Sequence, residues 1–341
     1  MRLLVTGGAG FIGSNFVHHY LKRRPHDRIV SVDALTYAGN LQNLEGAGDR
    51  HEFVRGDIAD PAAMNEVFEE HEFDGIINFA AESHVDRSIL DSTQFIRTNI
   101  VGTQVLMDLA RKHKVGRFLQ VSTDEVYGSL GAQGAFSESS PITPNSPYAA
   151  SKAAADLLVR AYVKTYRFPA IITRCSNNYG PRQFPEKLIP LMILNAIASR
   201  PLPVYGDGQY TRDWIHVEDH ASALRMVLEK GRDGEVYNIG AGHELKNLEV
   251  IHQILESVGG SAALIQFVAD RPGHDRRYAI DAHKVQQETG WAPETTFAGG
   301  LTGTVQWYEE NPDWVRNVLD GTYRDYYERM YDSRSDTLSQ L

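Results

Sequence analysis

The chain of 341 residues carries 34 Lys and Arg against 44 Asp and Glu, a formal charge of −10, and its longest basic run is Lys22-Arg23-Arg24. A protein that tracks nucleic-acid phosphates shows a basic patch or stripe, so this balance argues against nucleic acid and requires any anionic ligand to be met by locally placed cations. With 42% hydrophobic and 23% charged residues and no internal repeat, the chain reads as globular and long enough for about two domains.

The first apolar run, Leu3-Leu4-Val5, reads as a strand and is too short for the ~7–15-residue core of a signal peptide. It leads into Gly7, Gly10 and Gly13, spaced three apart, and then a helix over Ser14–Leu21. Backbone approaches a pyrophosphate only where side chains are absent, and amides opening the next helix supply donors and positive dipole. A second strand, Ile29–Val32, ends at Asp33, twenty residues beyond Gly13. A carboxylate there accepts hydrogen bonds from an adenosine ribose and repels a 2′-phosphate, and Ala34 and Leu35 follow with no arginine, so NAD is expected over NADP.

A third strand at Phe53-Val54 is followed by Asp57, placed to reach adenine. Asp60-Pro61 opens a helix, with aspartate as cap and proline in the first position. The fourth strand, Gly75–Phe79, leads to Ala80-Ala81-Glu82-Ser83 and His84 at the expected cofactor crevice. A helix over Asn99–His113 is predicted to place Ile100, Val101, Val105, Leu106 and Leu109 on one face. The fifth strand, Phe118–Val121, runs into Ser122-Thr123-Asp124-Glu125-Val126-Tyr127-Gly128.

Tyr148 and Lys152 are four apart and share one face of a helix, where an ammonium favours the phenolate and suits the tyrosine to act as a base. The Thr123 hydroxyl can bond the oxygen that Tyr148 deprotonates. Asp124 and Glu125 fall where the chain turns, so both can face one pocket. The sixth strand, Ala170–Thr173, leads to Cys175, the single cysteine, which excludes an intrachain disulfide or a cysteine zinc site and reads as a buried, inert thiol in a reducing, cytoplasmic setting.

The longest mostly apolar stretch, Leu188 to Ala198, contains Pro190 and Asn195 and is shorter than a membrane helix, so no membrane partner is expected. A helix over Val217–Leu228 and a strand at Val236–Ile239 follow. His216 and His220 have helical spacing but lack the glutamate of a zinc motif, and no metal is expected. The alternation describes an α/β protein: a Rossmann-type doubly wound parallel sheet with a smaller, interleaved C-terminal substrate-binding lobe. The expected cofactor domain spans 1–176 and regains the chain at about 212–242; the lobe comprises 177–211 and 243–341.

Gly7-x-x-Gly10-x-x-Gly13, Thr123 and Tyr148-x-x-x-Lys152 resemble the extended short-chain dehydrogenase/reductase superfamily. The run Thr123–Gly128, with Asn177–Pro181 and Arg271–Tyr278, resembles the dTDP-glucose 4,6-dehydratase family within it. The resemblance covers residue 1 to about 310. It implies NAD contacts at Phe11, Ile12, Thr36, Asp57, Ile58, Ala80, Ala81, Ser83, Thr98 and Asn178 beside the glycines, Asp33, Tyr148 and Lys152. For a nucleotide-sugar substrate, dTDP-glucose, it implies Ser83, His84 and Thr123, with Asn177, Arg212, Asn247 and Arg271 toward the diphosphate. Glu186, Lys187, Leu188, Pro203 and Tyr205 would surround the nucleoside, and His274 and Tyr278 complete the set. Lys187, Arg212 and Arg271 are also the cations that a diphosphate needs in a chain of this charge.

The resemblance assigns Asp124 as the acid that expels the C6 hydroxyl and Glu125 as the base at C5, and it implies a homodimer, for which Gly102–Leu109 and Ser151–Tyr162 are plausible faces. A nucleotide-sugar 4-epimerase would share the cofactor site and the tyrosine but leave the acidic pair without a task. An idle dinucleotide-binding scaffold would need none of the catalytic positions. UDP- or CDP-glucose is the alternative substrate, its uracil or cytosine differing from thymine at one edge of the ring.

Overall fold

Runs such as Gly75–Asn78 and Ala170–Cys175 are buried throughout, which suits parallel strands covered on both faces. In the computed structural model, which describes residues 1–319 and Tyr327, the first six strands are β1 (Arg2–Thr6), β2 (Arg28–Asp33), β3 (His51–Arg55), β4 (Gly75–Asn78), β5 (Arg117–Thr123) and β6 (Ala170–Cys175). They are followed by β7 (Asn177–Tyr179), β8 (Leu202–Tyr205), β9 (Thr211–His216), β10 (Val236–Ile239), β11 (Glu244–Lys246) and β12 (Ile265–Val268). The helices are α1 (Phe11–Arg23), α2 (Pro61–Glu70), α3 (Val85–Leu90), α4 (Thr93–Phe95), α5 (Thr103–Lys112), α6 (Pro147–Tyr166), α7 (Leu188–Ile197), α8 (Val217–Lys230), α9 (Asn247–Val258), α10 (His283–Thr289), α11 (Phe297–Glu310) and α12 (Pro312–Val318).

Seven strands form one parallel sheet in the order β10-β6-β5-β4-β1-β2-β3. The chain winds outward from β1 to β3 and then in the other direction from β4, so the topological switch lies between β1 and β4. That crevice, at the carboxyl ends of the strands, is where a doubly wound sheet binds its ligand.

Alternate residues of β1 serve opposite faces. Leu3 and Val5 pack with Phe16 and Val17 of α1 and with Leu224 and Val227 of α8, whereas Leu4 joins Met64 and Phe68 of α2 and Leu106 of α5. Fully burying each such side chain contributes roughly 1.5–3 kcal/mol, which makes truncation at Leu4 a cavity in an otherwise closed layer.

Asp60 caps α2 by accepting from the amides of Ala62 and Ala63, and Pro61 takes the first helical position. Ser146 caps α6 from the amide of Ala149 at 3.1 Å, again before a proline, and so fixes Tyr148 in the first turn.

The predicted single helix over Asn99–His113 is corrected. Ile96–Gly102 is π-helical and α5 begins only at Thr103, so Val101 points outward at 40% exposure while Val105, Leu106 and Leu109 stay buried. A π turn inserts an extra residue and rotates what precedes it off the apolar stripe. Gly102 passes so near Ile58 that a Cβ would lie 2.5 Å from its Cδ1.

After β6 the chain leaves the main sheet and returns only for β10. The intervening and following segments build a three-stranded sheet, β11-β9-β7, and a β12-β8 pair. Their core joins Ile193, Leu202, Trp214, Ile254, Phe297 and Trp314. Apart from Tyr327, the part of the expected lobe beyond Leu319 lies outside the described residues.

Candidate active site

The loop from β1 to α1 comes first. Gly7 adopts φ +69°, and a Cβ there would stand 2.6 Å from the amide of Ala80; at Gly13 it would stand 2.2 Å from the carbonyl oxygen of Gly7. No side chain caps α1, whose N-cap is Gly10, so its first amides face the crevice beside half-buried Phe11 and Ile12. Asp33, at the end of β2, accepts from the amides of Ala9 at 3.0 Å and Leu35 at 2.8 Å. A glycine loop, an uncapped helix start and a carboxylate at the tip of β2 meet here, and this set fits an adenine dinucleotide.

The other cofactor candidates line the same side. Ala80, Ala81 and Ser83 follow β4, half-buried, and Thr36 lines a cavity of 520 Å³ with Tyr37, Arg87 and Arg182. Asp57 accepts from the amide of Ala59 at 2.9 Å and pairs with Arg97 at 2.7 Å, next to buried Ile58, while Thr98 is half-buried in the π turn. Asn178 is buried against His220, whose Nδ1 lies 2.8 Å from its Oδ1, and burial holds that imidazole neutral, at about 3. His216 instead closes the start of α8 by accepting from the amide of Glu218.

At the carboxyl end of β5, Thr123 caps the short 3-10 turn Asp124–Tyr127, accepting from the amide of Glu125 at 3.2 Å. Its hydroxyl donates to Asp124 Oδ1 at 3.3 Å and stands beside the Tyr148 phenol. Burial, and then the charge of Glu125, hold the Tyr148 phenol well above its ordinary range. One expectation, an ammonium that favours the phenolate, is corrected here: burial raises the phenol instead, and the Lys152 ammonium donates to the carbonyl of Val121 at 2.8 Å. A buried ammonium needs an acceptor, and the strand edge supplies one. Burial lowers the lysine, and Asp156 raises it.

The two carboxylates stand in different fields. Asp124 is 2% exposed, its Oδ2 has no partner, and burial with the charges of Glu125 and Asp213 pushes it well above the carboxylate range. Glu125 is raised by burial too, but Arg271, Lys187 and Arg212 all pull it down. This is the arrangement that separates an acid from a base.

The lobe closes the crevice with cations. Lys187 donates to the carbonyl of Ser83 at 2.8 Å, and half-buried Leu188 opens α7 behind it. Glu186 accepts from Tyr37 at 3.0 Å and Arg87 at 3.2 Å, and its carbonyl lies 3.4 Å from His84 Nε2. Arg271 pairs with Asp86 at 3.1 Å, and Tyr205 donates to the same carboxylate at 2.8 Å beyond buried Pro203. Arg212 donates to the carbonyl of Asp275 at 2.9 Å and lies 4.4 Å over the ring of Tyr278. His274 stacks on Tyr210 with ring centroids 3.8 Å apart. Three atoms of this rim, Asn177 Oδ1, Asn247 Oδ1 and Arg271 Nε, are buried without a partner, as expected of groups meant for a polar ligand.

Asp213 makes no ion pair with its neighbour Arg212. Neighbours on a strand point to opposite faces. Asp213 accepts from the amide of His243 at 2.8 Å, and burial raises it to about 6. Cys175 is buried, its thiol pushed up to about 12. Sequence reasoning missed Asp86, Arg87, Tyr37, Asp213, Asp156 and Arg174. Only Asp156 carried a signal, one turn beyond Lys152 on the face of Tyr148.

A parallel sheet that switches direction over a glycine loop, with Thr123, Tyr148 and Lys152 at the ends of β5 and α6, defines an extended short-chain dehydrogenase/reductase. A family model described as GDP-mannose 4,6 dehydratase matches residues 4–304. A dTDP-glucose 4,6-dehydratase of Xanthomonas campestris pv. campestris (strain B100) is 54% identical over 94% of this chain and 97% of its own length, and one of Shigella flexneri is 49% identical over 98% and 100%. A Streptomyces venezuelae dTDP-glucose 4,6-dehydratase, crystallised with NAD and a second ligand, superposes with a TM-score of 0.90 at 50% identity, covering 93% of this chain and 100% of that one. A UDP-glucose 4-epimerase of Thermus thermophilus shares the fold at a TM-score of 0.85 but only 30% identity, over 91% of this chain and 99% of that one. The chain belongs to the dTDP-glucose 4,6-dehydratase family.

Proposed function

We propose that this protein is an NAD-dependent carbon-oxygen lyase that converts dTDP-glucose to dTDP-4-keto-6-deoxyglucose and water, a step of deoxysugar biosynthesis of the rhamnose type. The observation that carries the reading is the Asp124-Glu125 pair beside Thr123 and Tyr148, because a 4-epimerase moves the same hydride but has no hydroxyl to expel. Relatives about half identical over nearly the whole chain support the same substrate.

When bound, NAD supplies the two-electron acceptor for C4 and returns the electrons at C6, so no external oxidant is consumed. Tyr148 takes the proton of the C4 hydroxyl, whose oxygen Thr123 holds. The Lys152 ammonium supplies the positive charge beneath the tyrosine and a donor for the nicotinamide ribose. With a ketone at C4 the C5 proton is acidified, and Glu125, kept toward the anionic form by three cations, removes it. Asp124, kept protonated by burial and like charge, gives its proton to the C6 hydroxyl, which leaves as water. Glu125 then reprotonates C5. Arg212, Arg271 and Lys187 hold the diphosphate against the net charge of −10.

Assembly as a homodimer through the faces of α5 and α6 belongs to this reading. It is supported by exposed apolar side chains at Leu157 (52%) on α6 and at Ile96 (51%) and Val101 (40%) in the π-helical turn that leads into α5. A cytoplasmic location is supported by the single, buried, free Cys175. Among the described residues no helix is long and apolar enough to cross a membrane.

Incubation with dTDP-, UDP-, CDP- and GDP-glucose tests the reading. The alkali-sensitive absorbance of a 4-keto-6-deoxy sugar is expected with dTDP-glucose. No such product from any of the four contradicts it, and an epimerised sugar retaining its 6-hydroxyl would favour the epimerase.

A further inference from the structure

Asp156 lies one helical turn beyond Lys152 on α6 and two beyond Tyr148, on the same face. It is 0% exposed, and its partner Arg174, on β6, is 2% exposed. Arg174 Nε donates to Asp156 Oδ2 at 2.8 Å, while Nη1 donates to the hydroxyl of Tyr127 at 3.0 Å. Tyr127 is the last residue of the turn that begins with Asp124 and Glu125, and its hydroxyl donates onward to Asn238 at 2.7 Å. One guanidinium therefore touches both the helix that carries the tyrosine and lysine and the turn that carries the acid and base.

Stability alone is a poor account of this pair. Removing two charges from water costs about as much as their attraction returns, and an apolar pair of similar size does as well. Arg174 Nη2 even lacks a hydrogen-bond partner of its own, so the network is held at a cost. What the pair does have is a neighbour that needs it. Lys152 is faced by Tyr148 and Asp156 from its own helix, by the Val121 carbonyl from β5 and by the Cys175 thiol from β6. Cys175 is held in its neutral form, so Asp156 is the carboxylate available to balance the ammonium.

We propose that Asp156 and Arg174 are positioning residues of the reaction: Asp156 keeps Lys152 charged beneath Tyr148, and Arg174, through Tyr127, fixes the turn that presents Asp124 and Glu125. The redox and elimination groups are thereby held in register from beneath the site. The inference rests on the dehydratase reading, and wild-type enzyme run beside the variants separates the two. A wild type that yields no 4-keto sugar defeats the reading; an active wild type with unaltered variants defeats only the inference.

The test uses the full-length protein with NAD and dTDP-glucose, following reduced-cofactor absorbance in single turnovers and cofactor affinity across pH. Asp156→Asn removes the balancing charge, so Lys152 loses its proton earlier as pH rises. The alkaline limb of both C4 oxidation and NAD affinity then moves down by about one pH unit or more. Asp156→Asn/Arg174→Gln, which leaves an uncharged amide pair, shifts it the same way should the single variant not fold. Tyr127→Phe keeps the ion pair and cuts the tie to the turn, so elimination slows about tenfold or more, oxidation stays within about twofold, and reduced cofactor accumulates. Unshifted limbs in the Asp156 variants, or equal slowing of both steps in Tyr127→Phe, would overturn the proposal, since a merely structural pair lowers stability without separating the steps.

Discussion

Asp124 and Glu125 are adjacent in the chain yet differ in what surrounds them: burial raises both carboxyls, the charges of Glu125 and Asp213 push Asp124 further up, and Arg271, Lys187 and Arg212 oppose the rise at Glu125. Neither side chain is special by type. Their difference comes from what the turn after β5 aims each of them at, and it supports the proposed roles of Asp124 as acid and Glu125 as base.

Asp124→Asn keeps shape and removes the transferable proton. Elimination is expected to slow about 10²-fold or more while C4 oxidation proceeds, so stopped-flow absorbance should show reduced cofactor persisting with substrate. Dehydration at the wild-type rate would take Asp124 out of the mechanism. Because its pKa is raised, the acid form survives above the usual carboxylate range, and the elimination step should fail as pH rises, not as it falls.

Tyr148→Phe removes the base for the C4 hydroxyl and leaves the ring in its packing against Phe95 at 6.3 Å. Turnover is expected to fall to background while NAD still binds, measurable by titration of intrinsic fluorescence. Retained turnover would show that another group takes that proton.

The Asp33 carboxylate, fixed by the amides of Ala9 and Leu35 at the tip of β2, is the group expected to select the dinucleotide. Asp33→Ser should weaken NAD and narrow its advantage over NADP by about tenfold or more, read from the two dissociation constants. An unchanged ratio would mean that the ribose is held elsewhere.

Asp213 gives a prediction about stability rather than rate. Its folded pKa, about 6, lies above the ordinary carboxylate value, so the folded state holds a proton that the unfolded state releases. Stability from this group is full below about pH 4 and lost as pH rises through about 6. Urea unfolding of wild type and Asp213→Asn from about pH 5 to 7.5 should show the wild type losing about 1–2 kcal/mol relative to the variant. A constant difference would remove the shift.

Much of the fold was legible because it depends on local pattern. Buried strands read as apolar runs, Asp60-Pro61 and Ser146-Pro147 mark helix starts, and the glycines of the first loop sit where the backbone leaves no room for a Cβ. Val101 was misplaced because a π turn changes the helical period without any residue that announces it. The tyrosine, lysine and acidic pair stood out in short motifs. Partners that arrive from distant segments did not: Asp213 reaches the surroundings of Asp124 from β9, and Arg174 meets Asp156 only because β6 lies under α6. Such pairings are set by tertiary approach, which spacing along the chain does not encode.

The fate of the C4 hydrogen tests the internal hydride cycle most directly. dTDP-glucose carrying deuterium at C4, turned over by the wild-type enzyme with NAD, should yield dTDP-4-keto-6-deoxyglucose with the deuterium at C6. Deuterium still at C4 in a sugar that keeps its 6-hydroxyl, or lost altogether to solvent, would contradict it.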